Sequence, residues 1–134
     1  IWKGRMEILS REPYLMVDGA HNSNGIHALK TSLMKLYPDE KFHFVMGVMA
    51  DKDYEKMIEE LLPLAIDFVT VTPESSRALQ AESLAEKIRS QGIPARSMAS
   101  VADVLTLPRV GEKTIALGSL YFIGELEALY YGNS

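Results

Sequence analysis

Apolar and polar positions along the chain change period in a regular order, and that order predicts strands alternating with helices. Met6 to Leu9 is a short, partly apolar candidate strand, and Arg11-Glu12-Pro13 turns the chain into a second, Tyr14 to Asp18. From about Asn22 to Tyr37 the apolar residues Ile26, Leu29, Leu33 and Leu36 fall at helical spacing, and Pro38-Asp39 stops the helix. Phe42 to Val48 reads as a buried strand, and a charged loop at Asp51-Lys52-Asp53 leads into a helix of about Tyr54 to Leu62, ended by Pro63. Ile66 to Val71 is the next strand, closed by Thr72-Pro73. A helix at about Ala81 to Gln91 follows, with Leu84, Ala85 and Ile88 facing inward and Gly92 as C-cap. Ala95 to Met98 is a short strand, and Ser100 to Leu105 a brief helix capped by Ser100. Thr114 to Leu117 is the last strand, and a final helix of about Leu120 to Tyr131 is apolar at Leu120, Ile123, Leu126 and Tyr130.

Short strands, mostly apolar on both faces and joined by connections long enough to cross over, predict an α/β fold with a parallel sheet covered on both sides. No repeat, low-complexity segment or internal linker interrupts it, so residues 1–134 are expected to form a single domain. A chain of that length buries roughly two thirds of its unfolded surface. It contains no cysteine, which removes disulfides, thiolate metal sites and cysteine nucleophiles. With 14 basic and 18 acidic residues dispersed along it, net charge −4, it offers no basic stripe for nucleic acid. No apolar run approaches the ~20 residues of a membrane span, and the first residues lack the plan of a signal peptide. A soluble, cytoplasmic protein is the expectation. The chain opens at Ile1 as though in the middle of something longer, so a fragment is also expected.

Candidate chemistry concentrates after the strand at Tyr14 to Asp18. There Asp18-Gly19-Ala20-His21-Asn22 joins strand to helix, and the free N–H groups of a helix's first turn favour an anion. Further polar residues follow the other strands: Asp51, Lys52 and Asp53, then Thr72 and Arg77, then Ser119. A parallel sheet brings such loops to one edge, giving a rim of both charge signs suited to an amino acid or to a nucleotide with its metal. There is no Gly-x-Gly-x-x-Gly, no P-loop, no His-Glu-x-x-His and no Gly-x-Ser-x-Gly. Each rim residue also has a structural reading. Asp18 serves equally as the N-cap partner of the first helix, His21 as a surface or capping histidine, Lys52 as part of a solvated loop, and Ser119 as a helix cap. The seven methionines read as core filler.

Trp2-Lys3-Gly4-Arg5-Met6-Glu7, Asp18-Gly19-Ala20-His21-Asn22, Asp51-Lys52-Asp53, Thr72 with Arg77-Ala78, and Gly118-Ser119-Leu120-Tyr121-Phe122-Ile123-Gly124-Glu125 together resemble the C-terminal domain of the folylpolyglutamate synthase and dihydrofolate synthase family, within the Mur ligase superfamily. The resemblance covers essentially the whole chain and departs at Lys3, where proline is more usual. It implies a Rossmann-like sheet and an ATP-dependent amide ligase in which a folate or dihydropteroate carboxylate becomes an acyl phosphate that the amine of L-glutamate attacks. The P-loop and the Mg2+ ligands are implied to lie in an N-terminal ATPase domain absent from this chain, which is therefore expected to be inactive alone.

Position by position, the resemblance implies that Arg5 is catalytic and contacts the ATP phosphates, and that Asp18 accepts from the ribose hydroxyls. His21 and Ser119 are implied to contact the incoming glutamate, and Lys52 to meet its side-chain carboxylate. No metal ligand set is found in this chain. The rival readings are a cell-wall Mur ligase domain, a stand-alone nucleotide- or amino-acid-binding module, and a purely structural interaction domain.

Overall fold

The computed structural model describes residues 4–132; Trp2 and Lys3 of the first quoted motif lie outside them. The elements in chain order are β1 (Glu7–Arg11), β2 (Tyr14–Val17), α1 (Ser23–Leu36), β3 (Phe42–Met46), α2 (Tyr54–Leu61), β4 (Ala65–Thr70), α3 (Ala81–Ser90), β5 (Ala95–Ser97), β6 (Lys113–Leu117) and α4 (Leu120–Gly132). Single 3-10 helices at Leu62–Leu64 and Val101–Thr106 complete them. The six strands form one sheet in the order β1-β2-β6-β3-β4-β5. β1 pairs with β2 antiparallel, and every other neighbouring pair is parallel.

Alternation along the strands supplies both faces of the sheet. Met16, Phe44, Met46, Phe68, Ile115 and Leu117 point to one side, where Ile26, Leu29 and Leu33 of α1, Met57, Ile58 and Leu61 of α2, and Leu84 and Ile88 of α3 cover them. Leu15, Val17, Val45, Val69 and Ala116 point to the other, against Phe122, Ile123 and Leu126 of α4 and Val101 and Val104 of the second 3-10 helix. Both faces are covered, as the continuous apolar strands predict.

Several local expectations are corrected. Leu36 is 57% exposed, although it continues the α1 stripe. Tyr37 closes that end of the core instead, its ring edge-on to those of Tyr14 and Phe42 and its hydroxyl 2.8 Å from that of Tyr14. Leu120 is 60% exposed and lies over the Gly19 backbone, because the first turn of α4 overhangs the sheet edge. Met34 is likewise exposed, an exception among methionines otherwise buried or partly buried. The segment after Ser100 is 3-10, with the Ser100 hydroxyl accepting from the Ala102 N–H at 3.1 Å. The C-cap of α3 is Gln91, and Gly92 follows it with φ +90°.

Gly118, between β6 and α4, has φ +114°, and a Cβ there would run into the carbonyl oxygen of Gly47. The nearest obstacle is backbone, so no side-chain movement relieves the clash. Gly118→Ala is expected to destabilise the chain by more than about 2 kcal/mol. Urea unfolding measures this, and a midpoint equal to that of the parent chain would overturn the account.

Candidate functional site

Polar residues gather at the carboxyl ends of β2, β6 and β3, and backbone bonds hold those ends together. The Asp18 N–H donates to the Ala116 carbonyl at 3.0 Å, Gly118 to Ala20 at 3.0 Å and Gly47 to Leu117 at 3.2 Å. The parallel ladder thus continues beyond the strands into the loops, and the loops start from fixed positions.

Asp18 is 2% exposed. It does not cap α1: the side chain of Asn22 does, accepting from the Gly25 N–H at 2.8 Å. The Asp18 carboxylate instead accepts from the Ala20 N–H at 2.7 Å with Oδ1 and from the Met6 N–H at 3.0 Å with Oδ2, while Arg5 Nε stands 4.0 Å from Oδ2. The Gly19 N–H also donates to the Gly4 carbonyl. The entry segment Gly4-Arg5-Met6 is therefore stapled to the strand end, leaving the Arg5 side chain 65% exposed. Burial pushes the Asp18 carboxyl above its ordinary value, opposed by the two backbone N–H bonds and the Arg5 charge.

A pocket of about 110 Å³ opens beside this loop, walled by His21, Met49, Lys52, Arg77, Gly118, Ser119, Leu120 and Tyr121. His21, Lys52 and Ser119, 98 positions apart at the extremes, meet there as a shared strand edge predicts, whereas Arg5 and Asp18 are not among its walls. His21 Nδ1 lies 2.9 Å from the Gly19 carbonyl oxygen. A carbonyl only accepts, so Nδ1 carries a proton and Nε2 remains for a ligand. Ser119 caps α4, its hydroxyl oxygen accepting from the N–H groups of Tyr121 (3.1 Å) and Phe122 (3.4 Å). An accepting hydroxyl keeps its own proton to donate, so capping and ligand binding are compatible.

The carboxylates around Lys52 are engaged elsewhere: Asp53 accepts from the Ser23 hydroxyl at 2.8 Å and Asp51 from Arg77 at 3.2 Å. Thr72 caps α3, accepting from the Ala81 N–H at 2.9 Å, so its hydroxyl oxygen is part of the scaffold. Arg77, which the sequence placed on the rim without an individual role, is also among the pocket's walls. The signal for it was its place in the polar loop five positions after Thr72.

A larger cavity, about 580 Å³, lies at the amino ends of the strands, away from these loops. Its histidine, His43, is held by Asp67 at 2.8 Å and faces Glu112 at 3.3 Å. Among the described residues no three His, Asp or Glu side chains gather into a group that could hold a metal ion. Among the described residues no helix is long and apolar enough to cross a membrane.

The chain is a mostly parallel α/β domain with a pocket at the carboxyl edge of its sheet. The family model described as Mur ligase, glutamate ligase domain matches residues 4–117, and the chain belongs to that family. Ser119 lies just beyond the matched stretch. Folylpolyglutamate synthase of Lacticaseibacillus casei is 30% identical over 98% of the chain and 30% of its own length. Dihydrofolate synthase/folylpolyglutamate synthase of Bacillus subtilis is 26% identical over 93% and 30%. The solved structure of Mycobacterium tuberculosis folylpolyglutamate synthase complexed with ADP and AMPPCP superposes with a TM-score of 0.85 at 26% identity, over 95% of this chain and 32% of that one. The chain spans about a third of the length of the relatives it matches.

A carboxyl raised by folding binds its proton more tightly in the folded state, so its contribution to stability falls as pH rises from the ordinary aspartate value through the raised one. Asn at this position carries no charge at any pH. The stability of the parent chain relative to Asp18→Asn is therefore expected to fall as pH rises through that window. Paired urea titrations from about pH 4 to about pH 7 read this directly; a flat or rising difference would overturn the buried charge.

Proposed function

We propose that this chain is the C-terminal domain of an ATP-dependent folate:glutamate amide ligase, of the folylpolyglutamate synthase type with or without dihydrofolate synthase activity. The observation that carries the reading is the pocket where His21, Lys52 and Ser119 converge, in a chain that belongs to the glutamate ligase domain family. L-Glutamate brings two carboxylates and one amine. Lys52 supplies a full positive charge for the side-chain carboxylate, and the Ser119 hydroxyl and the first turn of α4 supply donors. With Nδ1 occupied, His21 meets the ligand through Nε2, holding a carboxylate when protonated and accepting an ammonium proton when neutral.

On this reading the nucleotide side is formed by Arg5 and Asp18. The exposed Arg5 guanidinium reaches toward phosphate charge that grows during phosphoryl transfer, and Asp18 accepts from ribose hydroxyls. Oδ1 and Oδ2 each already accept one N–H, and a carboxylate oxygen has room for a second donor. The chemistry supplied by the whole enzyme is transfer of the ATP terminal phosphoryl to a folate or dihydropteroate carboxylate. The glutamate amine then attacks the acyl carbon and phosphate leaves. The P-loop and the Mg2+ site belong to an N-terminal ATPase domain, and closure of the two domains keeps water from the acyl phosphate. The reaction is placed in the cytoplasm.

Two measurements test this. The 134-residue chain alone is expected to show no ligase turnover with ATP, folate and glutamate, and measurable turnover would overturn the division of labour. In the full-length enzyme, Lys52→Met is expected to raise KM for glutamate about tenfold or more, the scale of one charge-assisted contact. KM for ATP is expected to hold steady. An unchanged glutamate KM would remove Lys52 from the site, and acceptance of cell-wall precursors in place of folates would favour the peptidoglycan branch of the superfamily.

A further inference from the structure

We infer that Arg77 is a carboxylate-binding residue of the pocket and that Asp51 is the positioning residue that holds its guanidinium there. The inference rests on reading the pocket as the amino-acid site. Arg77 lines the pocket and Asp51 does not, and the two side chains meet in an ion pair. Asp51 engages one terminal nitrogen, Nη2, at 3.2 Å. A guanidinium has five N–H donors in a rigid fork, and a contact at one corner leaves an edge open for a second carboxylate.

The backbone beneath both residues is fixed. Met49 and Ala78 form an antiparallel bridge, the Ala50 N–H donates to the Arg77 carbonyl at 2.8 Å, and the Leu79 N–H donates to the Val48 carbonyl at 2.9 Å. The loops after β3 and β4 thus act as one piece, and only side-chain torsions separate Arg77 from solvent. Both partners are more than half exposed, so the pair adds little to folding. Its physical effect is to restrict a long, flexible side chain that would otherwise sample the solvent and lose rotamer freedom on binding. Lys52, next to Asp51 in the sequence, also lines the pocket, so two cationic residues from different loops border it, matching a dicarboxylic amino acid.

The test is steady-state kinetics of the full-length ligase with L-glutamate as the varied substrate. Arg77→Met is expected to raise KM for glutamate at least tenfold, and Arg77→Lys to recover part of that loss. Asp51→Asn is expected to raise the same KM about threefold, with kcat affected less than KM, and Asp51→Glu to restore it. In the Arg77→Met background Asp51→Asn is expected to add nothing, because its effect runs through the guanidinium. Melting temperatures close to the parent's check that the exposed substitutions leave the fold intact. A KM that Arg77→Met leaves unchanged, while Lys52→Met still raises it, overturns this inference and spares the pocket reading. If neither substitution moves it, the pocket reading falls. An Asp51→Asn enzyme with unchanged or lower KM removes Asp51 as the positioning residue, showing instead an acid that competes with the substrate or does nothing to it.

Discussion

The close approach of Gly118 to the Gly47 carbonyl is the constraint on which the rest of the site depends. It lets the chain leave β6 with a positive φ and still keep the ladder bonds at the strand ends, Gly118 to Ala20 and Gly47 to Leu117. Three loops that carry the proposed site residues start from this knot. Ser119 comes directly after it, His21 one residue beyond its Ala20 partner, and the Met49 to Asp53 loop two residues after Gly47. Short loops leaving a rigid edge have few conformations to lose, so the pocket is largely preorganised before any ligand arrives.

Two acidic groups serve opposite purposes around this edge, and burial separates them. Asp18 is almost wholly buried and bound by two backbone N–H groups, each worth about 1–3 kcal/mol if left unpaired in the interior. That is a structural staple, yet its charged form is disfavoured by the burial that makes it useful. Asp51 stands in solvent, where an ion pair contributes about 0–1 kcal/mol. Removing Asp18 is expected to disturb the fold, whereas removing Asp51 is expected to have little consequence for it.

Much of this was legible in the sequence. Hydrophobic period located every strand and helix to within a few residues, and continuous apolar runs in β2, β3 and β6 foretold a sheet covered on both faces. The Asp18 to Asn22 motif and the strand-end rule brought His21, Lys52 and Ser119 to one edge. What stayed hidden depends on contacts between distant segments. A helical wheel puts Leu36 and Leu120 on the inner face, but where a helix overhangs the sheet edge only the fold decides. Asp18 looked like a cap because the residues that occupy it, Ala20 and Met6, donate through backbone N–H groups that no side-chain pattern encodes. Arg77 was placed on the rim by the same rule, but its ion pair with Asp51 and the bridge between Met49 and Ala78 beneath it join loops distant in sequence and were not legible.

The same geometry bears on why such a domain works as one part of a larger enzyme. Gly4-Arg5-Met6 is tied to Asp18 and Gly19, and Leu120, on the pocket wall, stands over Gly19 on the same side as the Gly4 carbonyl. A displacement of the entry segment is thereby felt at the residue assigned to the nucleotide and at the rim of the amino-acid pocket at once. Leu120 and Tyr121 remain 60% and 56% exposed beside a cavity of about 110 Å³, so one side of the pocket is apolar and unfinished. On the proposed reading, closure of the ATPase domain covers that side. Pairing between the proposed nucleotide residues and the proposed glutamate residues then needs no relay beyond Gly19, since its backbone touches both.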